Sequence, residues 1–273
     1  MAVVLALLSS VLWGWSDFVG GTLARRTPAA VVVAVSQVAA LLALLPLVLA
    51  LGAAPPSLVP GLLAGLAAGL GLGAFYAALA AGTMGVVAPI AATGAVVPVV
   101  VGLVRGEHPG ALQATGIVVA LLGVVLASGP ELSGGASTRP LLLAVVAASC
   151  FGTVMVLLAK GSEGSAGAVL VTMLALRITE VGAVLPFAWR RRTTGLRGLV
   201  PILVLIGLVD VTAHTCFAYA TRSGLLSVVA VLGSMYPVVT VLLARQLHHE
   251  RLARVQAVGV LATLGGVVLL TAG

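Results

Sequence analysis

Five ionisable side chains interrupt long apolar stretches of this sequence, and they are the residues most able to do chemistry. They are Asp17, Arg177, Glu180, Asp210 and His214. Burying a charged or polar group is costly unless it is paired or hydrogen-bonded, so each of these side chains needs a partner or a function. They are therefore the first candidates for a functional site.

The spacing of four of these residues places them in pairs. Arg177 and Glu180 stand three positions apart and Asp210 and His214 four apart, so each pair shares one face of a helix. Desolvation favours the protonated form of an acid, whereas a nearby cation favours the carboxylate. The functional interpretation is a site that binds and releases protons, with Arg177 as a counter-ion or as the group that holds a substrate carboxylate. An ion-pair network that only fixes helix register is the alternative.

Aromatic and amide side chains extend this list of candidates. Trp13 and Tyr76 are suited to stacking on a flat or cationic ligand, and Tyr236 lies in a later apolar stretch. Gln37 occupies a position roughly equivalent to that of Arg177 when Pro46 is aligned with Pro186. Candidates for substrate binding or coupling are therefore Trp13, Asp17, Gln37, Tyr76, Arg177, Glu180, Asp210, His214 and Tyr236.

The composition indicates that lipid is the solvent around these residues. Hydrophobic residues make up 61% of the 273 residues and charged residues only 8%, and the mean hydropathy is +1.25. A water-soluble domain is excluded at this composition. Continuous apolar runs approach the roughly 20 residues that span a bilayer as a helix, whereas strands of a membrane barrel alternate apolar and polar residues. We predict an all-α, multi-pass protein of the cell membrane.

Glycines, prolines and charge clusters divide the chain into ten predicted transmembrane helices. Basic residues lie in short clusters between these helices, so membrane topology explains the net charge of +7 better than nucleic-acid binding does. The predicted spans are 2 to 23, 29 to 51, 57 to 81, 85 to 104, 110 to 128, 141 to 160, 167 to 188, 199 to 220, 224 to 244 and 253 to 271.

An internal repeat relates the two halves of the chain. The segment Gly85 to Val100 aligns with Gly224 to Val239 through shared glycine, alanine, proline and valine positions, and Glu107 and Gln113 then align with Glu250 and Gln256. We predict a first five-helix repeat at 1–128, a linker at 129–140 and a second five-helix repeat at 141–273. Because five crossings are an odd number, the two halves form an inverted repeat, with the substrate site between them.

Two prolines occupy equivalent positions in this repeat. Pro98 and Pro237 each remove a hydrogen bond in the middle of a predicted helix and should bend it. They are hinge candidates, and a static bend that shapes the cavity is the alternative.

Several of these segments resemble one known group, the drug/metabolite transporter superfamily in its ten-helix EamA-type branch. The segment Trp13-Gly14-Trp15-Ser16-Asp17-Phe18-Val19 is similar to the family pattern Trp-Gly-Ser-Asn-Phe-Val, with Asp17 in place of the usual asparagine. The resemblance also rests on the segments that lead to Pro98 and Pro237, and it covers essentially the whole chain.

The resemblance implies a secondary transporter, not an enzyme, that exports a small metabolite, amino acid or drug by alternating access. The expected partners are a small-molecule substrate and the bilayer, with protons as the candidate coupling ion and with no cofactor, metal or nucleic acid. A membrane protein that handles lipid head groups, of the flippase type, is the alternative. A basic lateral opening would favour that alternative, and buried carboxylates favour the transporter.

Charge asymmetry predicts the orientation. The positive-inside rule places both termini outside, because most arginines follow the odd-numbered spans. The resemblance implies cytoplasmic termini for many members, so the two predictions conflict. The residues counted are Arg25, Arg26, Arg139, Arg190, Arg191, Arg192, Arg197, Arg245, Arg251 and Arg254 on one side and Arg105, Lys160 and Arg222 on the other.

Overall fold

The structure is a computed structural model that describes residues 1–52, 57–82, 84–127, 138–191, 196–247 and 254–272. Within these ranges the chain forms α-helices joined by short turns, and no strand. The helices are α1 (Ala2–Ala24), α2 (Ala29–Leu51), α3 (Val59–Ala81), α4 (Met84–Ala92), α5 (Val96–Val104), α6 (Ala111–Ala127), α7 (Thr138–Gly161), α8 (Ala166–Trp189), α9 (Val200–Thr221), α10 (Leu226–Gly233), α11 (Tyr236–Leu247) and α12 (Arg254–Ala272).

Some predicted features fall outside the described residues. They are most of the predicted linker, together with Arg192, Glu250 and Arg251. The last residues of the predicted linker, from Thr138 onward, already belong to α7.

Most of these helical segments are long and apolar enough to cross a membrane. In the described part of the chain, nine segments qualify by length and composition, and Ala111–Leu126 is a shorter apolar helix. They correspond one to one with the ten predicted spans. Apolar side chains such as Leu42, Leu66 and Leu261 point away from the protein interior, as expected where lipid is the solvent.

The fourth and ninth spans are not continuous helices. A 3-10 turn, Thr93–Ala95, separates α4 from α5, and α10 ends at Gly233 just before α11 begins at Tyr236. Pro98 and Pro237 follow these two interruptions closely. Because proline has no N–H and its ring collides with the carbonyl four residues earlier, each break falls where the helical hydrogen bond cannot form.

Contacts between the two halves follow a two-fold pattern. The α1 helix packs on α9 as α3 packs on α7, α2 packs on α9 as α3 packs on α8, and α1 packs on α10 and α11 as α7 packs on α4 and α5. The pair α5 with α10 corresponds to α11 with α4, and the pairs α2 with α8 and α6 with α12 are their own counterparts. Exchanging the halves therefore maps these contacts onto one another, as expected for two repeats related by a pseudo-two-fold axis.

One carboxylate ties the turn after α5 to the beginning of α10. The side chain of Glu107 accepts hydrogen bonds from the backbone N–H groups of Leu226, at 2.6 Å, and Ser227, at 2.9 Å. These are N–H groups of the first helical turn, which have no partner within the helix. The negative charge also lies at the positive end of the helix dipole. Glu107 thus connects the first half to the second.

Replacing Glu107 with alanine should lower the thermal unfolding temperature of the purified protein. Loss of a side-chain cap typically costs about 0.5 to 2 kcal/mol. Glu107→Gln keeps one acceptor oxygen and should be intermediate. The matched control is Glu163→Gln, since Glu163 is an exposed acid 3.6 Å from Arg105 and such surface pairs contribute little. Equal unfolding temperatures for Glu107→Ala and Glu163→Gln would contradict a stabilising cap.

Candidate functional site

A buried arginine holds side chains from three helices together. Arg177 on α8 is fully buried, and its Nη1 donates to Oε1 of Gln37 at 2.5 Å and to Oε2 of Glu180 at 2.6 Å. Its Nη2 contacts Oδ2 of Asp210 on α9 at 2.9 Å, and Nε2 of Gln37 on α2 donates to the same oxygen at 3.1 Å. We call these residues, with His214, the Arg177 network.

His214 connects this network to α1. Its Nδ1 lies 3.1 Å from Nη2 of Arg177 and 3.2 Å from Nε1 of Trp13. The same nitrogen lies 2.9 Å from the backbone oxygen of Asp210 and 3.4 Å from its Oδ1. Indole and guanidinium groups can only donate, so they require an unprotonated Nδ1, whereas a proton on Nδ1 would be donated to Asp210. Whether Nδ1 carries a proton therefore selects between these two sets of partners.

Two glycines allow the helices to approach closely enough to form the network. A Cβ atom at Gly207 on α9 would overlap the backbone carbonyl of Ser36 on α2. A Cβ atom at Gly65 on α3 would overlap the Leu176 carbonyl and the Thr179 hydroxyl on α8. Ser36 and Leu176 directly precede Gln37 and Arg177, so small residues let the backbones meet beside the network.

A cavity lies against the network between the two halves. Its empty space, including its open mouth, is about 540 Å³. Its walls are mainly apolar with a few polar groups, which is the composition typical of small-molecule sites. Helices α1 and α3 of the first half and α7, α8, α9 and α11 of the second form its walls. The lining residues are Trp13, Asp17, Ala68, Leu72, Phe151, Val154, Met155, Leu158, Glu180, Asp210, His214 and Tyr236.

The structure places most of the candidate residues of the sequence analysis at this cavity or beside it. Six of them line it: Trp13, Asp17, Glu180, Asp210, His214 and Tyr236. Gln37 and Arg177 lie behind the wall, in the network.

Tyr76 lies in the protein interior, and its proposed stacking on a ligand stays a prediction. Its side chain is buried, its ring packs beside that of Phe75, and its hydroxyl donates to the backbone oxygen of Ser16 at 3.4 Å. It is not among the residues that line the cavity.

The hinge candidates Pro98 and Pro237 lie at the helix breaks rather than on the cavity wall. Their role as hinges stays a prediction.

The contribution of α7 to the cavity was missed from the sequence. Phe151 and Met155 line the cavity, and Phe151 packs edge-on against Phe75 with ring centroids 5.5 Å apart. No ionisable residue marks this helix at the cavity. The internal repeat could have identified α7 as part of the cavity wall. Phe151-Gly152 corresponds to Trp13-Gly14 in α1, and Met155 then corresponds to Asp17.

The contacts of the two glycines in these motifs support that correspondence. A Cβ atom at Gly14 would collide with Tyr236 and Val239, and one at Gly152 would collide with Gly94 and Val97. The repeat aligns Val97 with Tyr236, so both glycines meet equivalent parts of the opposite half.

A bundle of apolar helices in two interlocked halves, with a mainly apolar cavity between them that carries a few polar groups, is the architecture expected of a polytopic membrane transporter. The chain belongs to the EamA-like transporter family, whose model matches residues 1–129 and again residues 138–272. The all-α polytopic membrane fold and the family resemblance expected from the sequence are thereby confirmed, and the family consists of transporters rather than enzymes.

Comparison with solved structures supports the same fold. One structure, described only as "Crystal structure of protein", has a TM-score of 0.72 to this chain at 19% sequence identity. The alignment covers 99% of this chain and 96% of the other. No curated protein matches the sequence.

Proposed function

We propose that the protein is a proton-coupled exporter of a small organic molecule in the cell membrane, and that the Arg177 network is its coupling site. The observation that carries the proposal is that Glu180 and Asp210 both face the cavity while sharing a single guanidinium. A network that served only to fix helix register would have no need of acids on the cavity wall.

The charge of the network favours one exchangeable proton. With both carboxylates ionised and His214 neutral, the single positive charge of Arg177 leaves a net charge of −1. Unbalanced charge is costly in a buried site, so uptake of one proton is favourable. The proton acceptors are Glu180, Asp210 and His214, and all three are in contact with the cavity.

Proton uptake at His214 would change a contact between the two halves. While Nδ1 of His214 on α9 carries no proton, it accepts the indole N–H of Trp13 on α1. A proton on Nδ1 removes that acceptor and is donated to Asp210 instead. Because α1 and α9 belong to different halves, proton binding is linked to their relative position, as alternating access requires.

The broken spans offer a route for this movement. Tyr236 lines the cavity and is the first residue of α11, directly after the interruption that precedes Pro237. A change of angle at this break would move the cavity wall without unfolding either helix. We propose that Pro98 and Pro237 mark the two hinges.

Handling of lipid head groups is the less favoured function. The charged groups on the cavity wall are the acids Asp17, Glu180 and Asp210, and Arg177 lies behind the wall. A phosphate head group would be repelled by this surface.

The experiment is transport by the full chain in proteoliposomes with an imposed pH gradient. A panel of radiolabelled amino acids, organic cations and organic anions is offered, and we expect the gradient to drive at least one of them through the wild type. Glu180→Gln should retain exchange of labelled for unlabelled substrate but lose gradient-driven accumulation about tenfold or more, because the exchangeable proton is lost. Glu163→Gln is the matched control for loss of a carboxylate and should behave as the wild type.

Two outcomes would contradict proton coupling at this network. One is gradient-driven accumulation by Glu180→Gln equal to that of the wild type. The other is a wild type through which the pH gradient moves no member of the panel.

A further inference from the structure

We propose that the transported molecule is a monovalent organic cation with an apolar or aromatic body, and that Asp17 binds its charged group. The inference rests on the proposed transport function and assigns a ligand class to the same cavity.

Among the described residues, Asp17 is the cavity carboxylate without a hydrogen-bond or ion-pair partner. It is 7% exposed and lines the cavity. In the described ranges it makes no hydrogen bond or ion pair, whereas Glu180 and Asp210 are both held by Arg177. A buried carboxylate in this situation is costly until a cation or a proton reaches it.

Tyr236 supplies a second polar atom without a partner. Its side chain is 5% exposed, it lines the same cavity, and its buried hydroxyl has no hydrogen-bond partner in the described structure. Buried tyrosine hydroxyls usually find a partner. A bound molecule with a polar head beside Asp17 would provide one.

The remaining walls suit an apolar or aromatic cation. Trp13, Phe151 and Tyr236 offer aromatic rings, and Leu72 and Met155 are among the aliphatic side chains between them. Cations are attracted to the faces of such rings, and the attraction increases when water is excluded. No lysine or arginine side chain is among the described residues that line the cavity, whereas three acids are, so the wall disfavours an organic anion.

Charge balance predicts that the bound cation exchanges for a proton. Asp17, Glu180 and Asp210 carry three negative charges against the one positive charge of Arg177, so the cavity region is neutral with one proton and one bound cation. Without the cation, two protons give the same balance. The cation and a proton therefore compete for Asp17. Asp17 is also a feature of this chain, because the resembled family pattern has asparagine at this position.

Every titratable or charged group around the cavity enters this competition. On α8 these are Arg177 and Glu180, on α9 Asp210 and His214, on α11 Tyr236, and on α3 Tyr76. Lowering the pH adds protons to the acids around the cavity, and each added proton opposes binding of a cation. Cation affinity should therefore fall as the pH falls.

The test is equilibrium binding to the purified full chain in lipid nanodiscs. The probe is phenyltrimethylammonium, which carries a permanent charge, and its comparison ligands are the uncharged N,N-dimethylaniline and the anion benzenesulfonate. We expect the wild type to bind the cation more tightly than either comparison ligand. Asp17→Asn should weaken cation binding about tenfold or more while leaving dimethylaniline binding unchanged, since a bond to a charged partner is worth about 1.5 to 3 kcal/mol.

Control variants and the pH dependence of the wild type complete the binding test. Asp17→Glu retains the charge and should bind the cation within a few-fold of the wild type, and Glu163→Gln should match the wild type. If Asp17→Asn fails to fold, the pH dependence of the wild type provides the answer. The proposal is overturned if Asp17→Asn binds the cation as the wild type does, if benzenesulfonate binds at least as tightly as the cation, or if affinity is unchanged or rises as the pH falls.

These outcomes are separate from those for the coupling site. If the cation fails to bind preferentially while the pH gradient still drives transport of another compound, only the ligand class is wrong. If the gradient drives nothing through the wild type, the proposed function itself fails.

Discussion

Arg177→Met should abolish transport, with a loss of at least about 100-fold, and should also destabilise the protein. Removal of one partner from a buried ion pair typically costs about 3 to 5 kcal/mol, because the remaining charges stay buried without compensation. Here the guanidinium contacts Glu180 and Asp210 and also the amide oxygen of Gln37. The measurements are proteoliposome transport and the thermal unfolding temperature of the purified protein.

Two further variants separate the electrostatic role of Arg177 from its role in packing. Arg177→Lys keeps the charge, but an ammonium group lacks the planar fork that reaches several acceptors at once, so stability should recover only in part. Combining Arg177→Met with Glu180→Gln and Asp210→Asn removes all three charges. This triple variant should regain most of the lost stability and should remain inactive in transport. Wild-type transport by either methionine variant would show that the network has no part in the transport cycle.

The ionisable residues of the site were predictable from the sequence because they are expensive to bury. In a chain this apolar, a residue such as Arg177 or Asp210 stands out, and spacing of three or four positions identifies partners on the same helix. The contact of Gln37 with Arg177 connects residues 140 positions apart. It was suggested beforehand only by aligning the two repeats.

Other parts of the site depend on helix rotations that residue spacing does not encode. The hydrogen bond from Trp13 to His214 joins residues 201 positions apart. No spacing or repeat pattern in the sequence predicts this contact. Tyr76 illustrates a different ambiguity, since an aromatic residue in an apolar span fits a cavity wall and a protein interior equally well. Ten predicted spans required only composition and length, whereas the lining of the cavity required the packing of α7 against α3.

The helix breaks were predictable from the sequence, whereas the contacts of the Glu107 cap were not. Pro98 and Pro237 indicated where regular hydrogen bonding would fail, and the interruptions lie just before each of them. The cap formed by Glu107 left a different trace, the repeated glutamate position in both halves. Its backbone partners could not be deduced, because any helix start within reach would satisfy a carboxylate.

Gly207→Ala should both destabilise the protein and impair transport, although alanine normally favours a helix over glycine by about 1 kcal/mol. The new methyl group would overlap the backbone carbonyl of Ser36, so α9 must move away from α2. Overpacking of this kind typically costs about 1 to 3 kcal/mol. The movement also separates the ends of the 3.1 Å hydrogen bond between Gln37 and Asp210. Thermal unfolding and proteoliposome transport measure the two effects.

The matched control for this substitution is Gly182→Ala on α8. A Cβ atom there meets nothing within 4 Å, so only the helix propensity changes and the protein should be unaffected or slightly more stable. The two substitutions make the same chemical change in two helices of the site, and they are expected to differ in sign. If Gly207→Ala were as stable and active as Gly182→Ala, close approach of α2 and α9 could not be what assembles the Arg177 network. If Gly207→Ala lost stability but kept full transport, the crossing would matter for folding and not for the position of Asp210.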